Sequence, residues 1–116
     1  MRPLGELRAP GEVRGVFFDI DDTLTTDGAL TAQAYCAMER LKRSGKRVVP
    51  ITGRPAGWCD HIARMWPVDA VVGENGAFFF WYDRGSKKLA RRYIADAQAR
   101  AAGRARFDAI ARSLLA

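Results

Sequence analysis

Residues 16–23 read Val-Phe-Phe-Asp-Ile-Asp-Asp-Thr, an apolar β-type run that delivers Asp19, Asp21 and Thr23 at alternate positions. Strand side chains alternate between faces, so these three are expected on one face with Asp22 pointing away. Two carboxylates held side by side repel each other and raise a pKa unless a cation lies between them, so the pair calls for a metal. It also sets a carboxylate nucleophile beside a general acid, the equipment of a phosphoryl-transfer site.

Such a pair works only if other elements bring phosphate-binding groups to it. A first strand over Val13 to Ile20 is predicted to carry the acids into a loop, Asp21 to Leu30, with its Thr, Asp and Gly residues. Thr31 then caps a helix with Tyr35, Met38 and Leu41 near helical spacing, Lys42 and Arg43 in its last turn and Gly45 as its stop. Lys46 to Ile51 reads as a second strand. Thr52-Gly53-Arg54-Pro55 opens a second helix, with Pro55 at the first helical position, that runs to about Met65. Pro67 breaks the chain before a third strand, Ala70 to Val72, and Gly73 to Gly76 turns into a hairpin of Phe78 to Tyr82 and Leu89 to Ile94. An Ala-rich helix follows from about Asp96, with Phe107, Ile110, Ala111, Leu114 and Leu115 on one face.

Alternating strands and helices with apolar strands predict an α/β fold, a parallel sheet wound by right-handed crossovers. Ligands bind such sheets at the carboxyl ends of the strands. Asp19 and Asp21, Thr52, and Glu74 with Asn75 fall at three such ends, and their convergence predicts one pocket. Pro50 lacks a ladder donor, so the second strand is expected to end early, bulge or lie near an edge.

The length allows one domain, and 48% hydrophobic content suits a globular core. No apolar run approaches the roughly 20 residues of a membrane span, and Met1 to Gly15 has charges and prolines where a signal peptide would be apolar, so the chain reads as cytoplasmic. Cys36 and Cys59 fall in helix-like segments and read as reduced, partly buried thiols, with a disulfide as the alternative. The net charge of +6 is local: residues 1–83 carry 10 Lys or Arg against 11 Asp or Glu, and residues 84–116 carry 9 against 2. A solvated basic helix face accounts for that tail, with attraction of an anionic substrate or nucleic acid as the other readings.

Phe-Asp-Ile-Asp-Asp-Thr-Leu-Thr at 18–25 resembles the first motif of the haloacid dehalogenase (HAD) superfamily, Asp-x-Asp-x-Thr after an apolar strand. Thr52-Gly53-Arg54 resembles its second motif, and Glu74-Asn75-Gly76-Ala77 is similar to the signature of the IIB branch of Cof-type and sugar-phosphate phosphatases. The resemblance implies a HAD-like, Rossmann-like core and a Mg²⁺-dependent phosphohydrolase acting on a small phosphorylated metabolite, a sugar phosphate. It implies Asp19 as nucleophile, forming an aspartyl phosphate, and Asp21 as acid and base. Mg²⁺ would sit on the Asp19 carboxylate and the Asp21 main-chain carbonyl, Thr52 and Gly53 would bind phosphate, and Thr23, Arg54 and Asn75 would support loop or substrate. The residues also admit plainer roles: Thr52 as a helix N-cap, Arg54 as a loop brace, and Glu74 with Asn75 as a turn. His61 reads as a helix-face residue, and Phe78 to Tyr82 as hairpin core.

The family pattern further includes a Lys beside the phosphate and a late acidic pair completing the metal shell. After Gly76 the only acids are Asp83, Asp96 and Asp108, and Lys87 and Lys88 lie in the hairpin turn. The expected organisation is therefore a leader at 1–12, the front part of a HAD-like core at 13–94 with its hairpin at 77–94, and a helix at 95–116 leading towards an absent cap. A chain of this kind is expected to be weak or inactive alone, with an exposed sheet edge suited to self-association. Two other classes fit less of the pattern: a basic module binding nucleic acid or protein through 84–116, and a non-hydrolytic phosphoacceptor domain.

Overall fold

A computed structural model describes residues 3–6 and 10–115 of the chain. Two 3-10 turns, Leu4–Glu6 and Pro10–Glu12, precede β1 (Gly15–Asp19). There follow α1 (Ala32–Arg43), β2 (Arg47–Ile51), α2 (Ala56–Met65), β3 (Val71–Gly73), β4 (Phe78–Asp83), β5 (Lys88–Tyr93) and α3 (Ala97–Leu115). The five strands form one sheet in chain order; β1, β2 and β3 are parallel, and the β4–β5 hairpin joins β3 antiparallel. The predicted elements are present, and the hairpin extends the sheet rather than standing apart from it.

Local chemistry sets the ends of α1. The Thr31 hydroxyl accepts the Ala34 N–H at 3.2 Å, as a Thr N-cap should. At the other end Gly45 takes φ +77°, a left-handed turn that suits a residue with no Cβ. Both α1 and α2 pack on one face of the sheet, where Met38, Val48, Cys59, Ile62, Val71, Phe78 and Phe80 form the core. On the other face Phe17 is 67% exposed, and Ile51, Phe79 and Trp81 are also open to solvent. Among the described residues β1 pairs only with β2, so its outer edge is free.

Two expectations are corrected. Pro50 neither ends β2 nor forces it to the edge: the strand continues to Ile51 between β1 and β3, with Pro50 opposite Phe18. The Val48 and Thr52 N–H groups point towards β3, so Pro50 forfeits a donor on the side where β2 and β3 pair only at Ile51 and Val72. Cys36 is exposed, and only Cys59 is buried, its thiol pushed up to about 11 by burial and then by the charge of Glu74; both are free thiols. The apolar stripe of α3 packs on no core among the described residues: Phe107, Ile110, Leu114 and Leu115 are all exposed. That helix starts where Asp96 caps it, accepting the Ala99 N–H at 2.7 Å, and Arg100 stacks on Tyr93 with 4.1 Å to the ring centre. No helix among the described residues is long and apolar enough to cross a membrane.

One carboxylate locks the layers below the site. Asp69 accepts the Val48 N–H at 2.8 Å, the Lys42 ammonium at 3.0 Å and the Arg47 guanidinium at 3.2 Å, joining α1, β2 and the approach to β3. Asp69→Ala is expected to cost about 2 kcal/mol at neutral pH, the range for hydrogen bonds to a charged group. Burial pushes this carboxyl up, but the Val48 N–H and the two cations outweigh it and hold it below 3.8. A depressed carboxyl stabilises the fold fully above its ordinary value and loses that contribution as pH falls through the lower folded value. Urea unfolding should show the gap between wild type and variant narrowing in acid; a gap independent of pH contradicts the assignment.

Candidate active site

Asp19 is the last residue of β1 and its carboxylate is exposed. The strand stops there, so alternation does not place Asp21 and Thr23 beside it; that expectation is overturned. Instead the chain winds around the buried Ile20, whose carbonyl accepts the N–H groups of Thr23, Leu24 and Thr25 at 3.4, 3.1 and 3.0 Å. Thr25, also buried, fixes the turn from below: its hydroxyl donates to the Ile20 carbonyl at 3.0 Å and accepts the Asp22 N–H at 3.2 Å. Asp22 takes φ +56°. The turn brings Thr23 back to Asp19, its hydroxyl donating to Asp19 Oδ2 at a long 3.4 Å.

The second loop supplies the cation. Arg54 forks onto Asp21, Nε to Oδ2 at 3.1 Å and Nη2 to Oδ1 at 2.5 Å, a bidentate geometry that a Lys could not reproduce. Those hydrogen bonds, with the arginine's charge, hold the Asp21 carboxyl below the usual carboxylate range against the opposing effect of burial. In this arrangement both Asp21 carboxylate oxygens are engaged by the guanidinium. The guanidinium also lies over the Trp58 ring, 4.2 Å from its centre.

Thr52 is 2% exposed, and its hydroxyl accepts the Arg54 N–H at 3.1 Å. It is not the N-cap of α2: that position belongs to Pro55, which the sequence placed one residue further in. A hydroxyl that accepts one bond keeps its proton for an acceptor such as a phosphoryl oxygen. The Gly53 N–H has no partner among the described residues. A Cβ at Gly53 would lie a tight 3.2 Å from Asn75 Oδ1, so the second and third loops approach closely here.

The third loop clamps the second. Glu74, Asn75 and Gly76 take φ of +47°, +54° and +102°, which for the two non-glycine residues costs on the order of 1 kcal/mol each. The strained backbone aims the Glu74 N–H at the Arg54 carbonyl, 3.2 Å, and the Asn75 N–H at the Thr52 carbonyl, 3.1 Å. Glu74 and Asn75 are therefore more than a turn into β4. The later acids lie elsewhere: Asp83 caps the hairpin turn through Gly85 and Ser86, Asp96 caps α3, and Asp108 lies exposed on that helix. Among the described residues no group of three or more His, Cys, Asp or Glu side chains gathers to hold a metal.

Sequence reasoning passed over two residues of this site. Thr25 carried a signal, a β-branched hydroxyl inside an otherwise polar loop. Trp58 carried another, four residues after Arg54, the spacing at which side chains meet on a helix.

A family model for haloacid dehalogenase-like hydrolases matches residues 16–105. The fold is similar to that of a solved phosphatase of the haloalkanoate (HAD) enzyme superfamily from Bacteroides thetaiotaomicron, with a TM-score of 0.56 and 24% sequence identity. The match covers 79% of this chain and 34% of that one, so the chain spans about a third of the length of that structure. At that identity the likeness speaks for the fold alone. No curated protein matches the chain.

Proposed function

Because the chain belongs to the haloacid dehalogenase-like hydrolases, we propose that its site hydrolyses small phosphomonoesters, sugar phosphates foremost, with Mg²⁺ and through an aspartyl phosphate on Asp19. One observation carries the proposal: three strand ends are tied together, β1 to β2 by the Arg54–Asp21 fork and β2 to β3 by the Asn75–Thr52 bond. Nothing in a parallel sheet requires such ties, and ligands bind at those ends.

In the first step an Asp19 oxygen forms a bond to phosphorus as the bond to the leaving oxygen breaks, and Asp21 gives that oxygen a proton. In the second, Asp21 takes a proton from water as the water attacks phosphorus, freeing Asp19 and inorganic phosphate. Held by Arg54, Asp21 is ready for the second step; for the first it must be protonated, with Arg54 turned aside, for example onto the substrate. Thr52 and the Gly53 N–H bind phosphoryl oxygens, and Thr23 steadies the Asp19 carboxylate. The donors suit Mg²⁺, which prefers hard oxygens and retains several waters: the Asp19 carboxylate and the Asp21 main-chain carbonyl would hold it. When bound, it neutralises charge on the phosphoryl oxygens. With one side-chain carboxylate, binding is weak and turnover by the chain is slow.

The same reading treats 13–94 as the catalytic body and 95–116 as a helix leading towards a cap, and takes the free β1 edge as the place where copies would associate. Phosphorus NMR tests the site itself. Inorganic phosphate should bind in the presence of Mg²⁺, and Thr52→Val should weaken it about tenfold, the worth of one good hydrogen bond. Binding unaffected by both Mg²⁺ and Thr52→Val would contradict the reading.

A further inference from the structure

We propose that the cavity beneath the catalytic turn is a binding site for one small apolar ring, a neutral aromatic molecule of benzene's size, and that a ring bound there opposes phosphate binding. The opposition rests on the reading above, in which Arg54 leaves Asp21 for the substrate; the binding of the ring does not. The cavity measures about 210 Å³. Ile20, around which the catalytic turn winds, lines it on one side, and Trp58, Ile62 and Trp66, four residues apart along one stripe of α2 and its C-cap, line it on the other. Arg54 forms the part of the wall that touches Asp21.

The wall is formed before any guest arrives. Ile20 and Ile62 are each 1% exposed, and Leu30 and Trp66, also in the wall, are half-buried against the core. The loop that carries Leu30 is pinned, since Thr26 and Ala29 exchange backbone hydrogen bonds at 3.0 and 2.9 Å. Trp58 is 51% exposed, so the cavity meets solvent beside it.

The chemistry of the wall selects the guest. Among the described residues its only side-chain acceptor is the Thr25 hydroxyl, which already donates to the Ile20 carbonyl and accepts the Asp22 N–H. The charge of Arg54 is matched by Asp21. Water, which needs roughly two to four polar partners, is poorly held there, and so is a hydroxylated or anionic guest. Indole faces and aliphatic side chains suit a neutral ring instead. An apolar cavity of about 150 Å³ lined by Leu, Ile and Phe stays dry and takes up benzene, so the somewhat larger space here accepts one ring. Ring and substrate then make opposite demands on Arg54. With Arg54 on Asp21 the wall is complete; with Arg54 on a phosphoryl group it is open. A ring that prefers the first arrangement weakens phosphate binding by the same factor by which phosphate weakens its own.

The indole N–H resonances of Trp58 and Trp66 in the labelled chain report the cavity, and that of Trp81, on β4, serves as control. Benzene should shift the first two saturably and leave the third in place, and glycerol should move none of them. Leu30→Phe, which fills the space, should abolish the shifts while keeping a folded spectrum. Should that variant not fold, Overhauser contacts from benzene to the Leu30 and Ile62 methyl groups of the wild type locate the ring without it. Saturating inorganic phosphate with Mg²⁺ should weaken benzene binding about fivefold or more. No saturable shift, equal shifts at all three indoles, or contacts to neither methyl group would overturn the site. Benzene affinity unchanged by bound phosphate would overturn the opposition. Failure of phosphate to bind at all would overturn the catalytic reading and the opposition with it, while the benzene titration decides the cavity by itself.

Discussion

Asp19→Asn is expected to remove Mg²⁺-dependent phosphate release, a loss of about 10³-fold or more, or to background where the wild-type rate is lower than that. The amide has the shape of the carboxylate but neither its charge nor its nucleophilic oxygen. Its environment predicts little cost to the fold: Asp19 is exposed and its recorded side-chain contact is the long bond from Thr23. The variant should therefore unfold within about 0.5 kcal/mol of the wild type, as surface substitutions usually do. Phosphate release from a generic phosphomonoester, measured beside urea unfolding, separates the two effects. Equal release by the variant would remove Asp19 from the chemistry; lost release together with a large loss of stability would assign it to the fold.

Gly73→Ala should have the largest effect on stability. Gly73 ends β3 opposite Phe78, and its φ of −115° is open to any residue, so the constraint is space alone. An added Cβ would fall inside the contact surface of the Phe78 ring and 2.6 Å from Cys59 Sγ. Neither neighbour can yield: both are buried, and Phe78 stacks on Phe80 at 4.4 Å and meets Tyr93 edge-on at 5.9 Å. Overpacking of this kind costs about 3 kcal/mol, a large share of the roughly 5–15 kcal/mol that holds a domain together. The displacement would also reach the site, because Gly73 leads directly into the Glu74–Asn75 clamp. A urea midpoint equal to the wild type's would contradict this, and Phe78→Leu in the same chain should recover part of the loss.

The order of strands and helices was legible because it is written in local chemistry. Thr31 caps α1 as its type suggested, Gly45 turns the chain out of the helix, and each apolar run became a strand close to its predicted bounds. The gathering of Asp21, Thr52 and Asn75 was legible from topology, since strand ends in a parallel sheet share one rim. The local path after Asp19 was not. Extending the strand's two-residue period through Thr23 failed because Asp22 enters the left-handed region and the buried Thr25 hydroxyl closes the turn on Ile20. Arg54 was read as brace or substrate contact; its fork onto Asp21 spans 33 positions, and no local rule reports a contact that distant. Pro50 misled for a related reason: its missing donor matters only on the side where a partner strand runs, and sequence does not say which side that is.

Mapping the phosphorylated residue tests the central claim most directly. The chain would be mixed with a reactive phosphodonor and Mg²⁺, quenched in acid, digested and read by mass spectrometry. A phosphoryl group on Asp19 that forms before phosphate is released, and is absent from Asp19→Asn, is the predicted result. Phosphate release with no such adduct, or an adduct on Asp21 or Glu74 that survives Asp19→Asn, would contradict it.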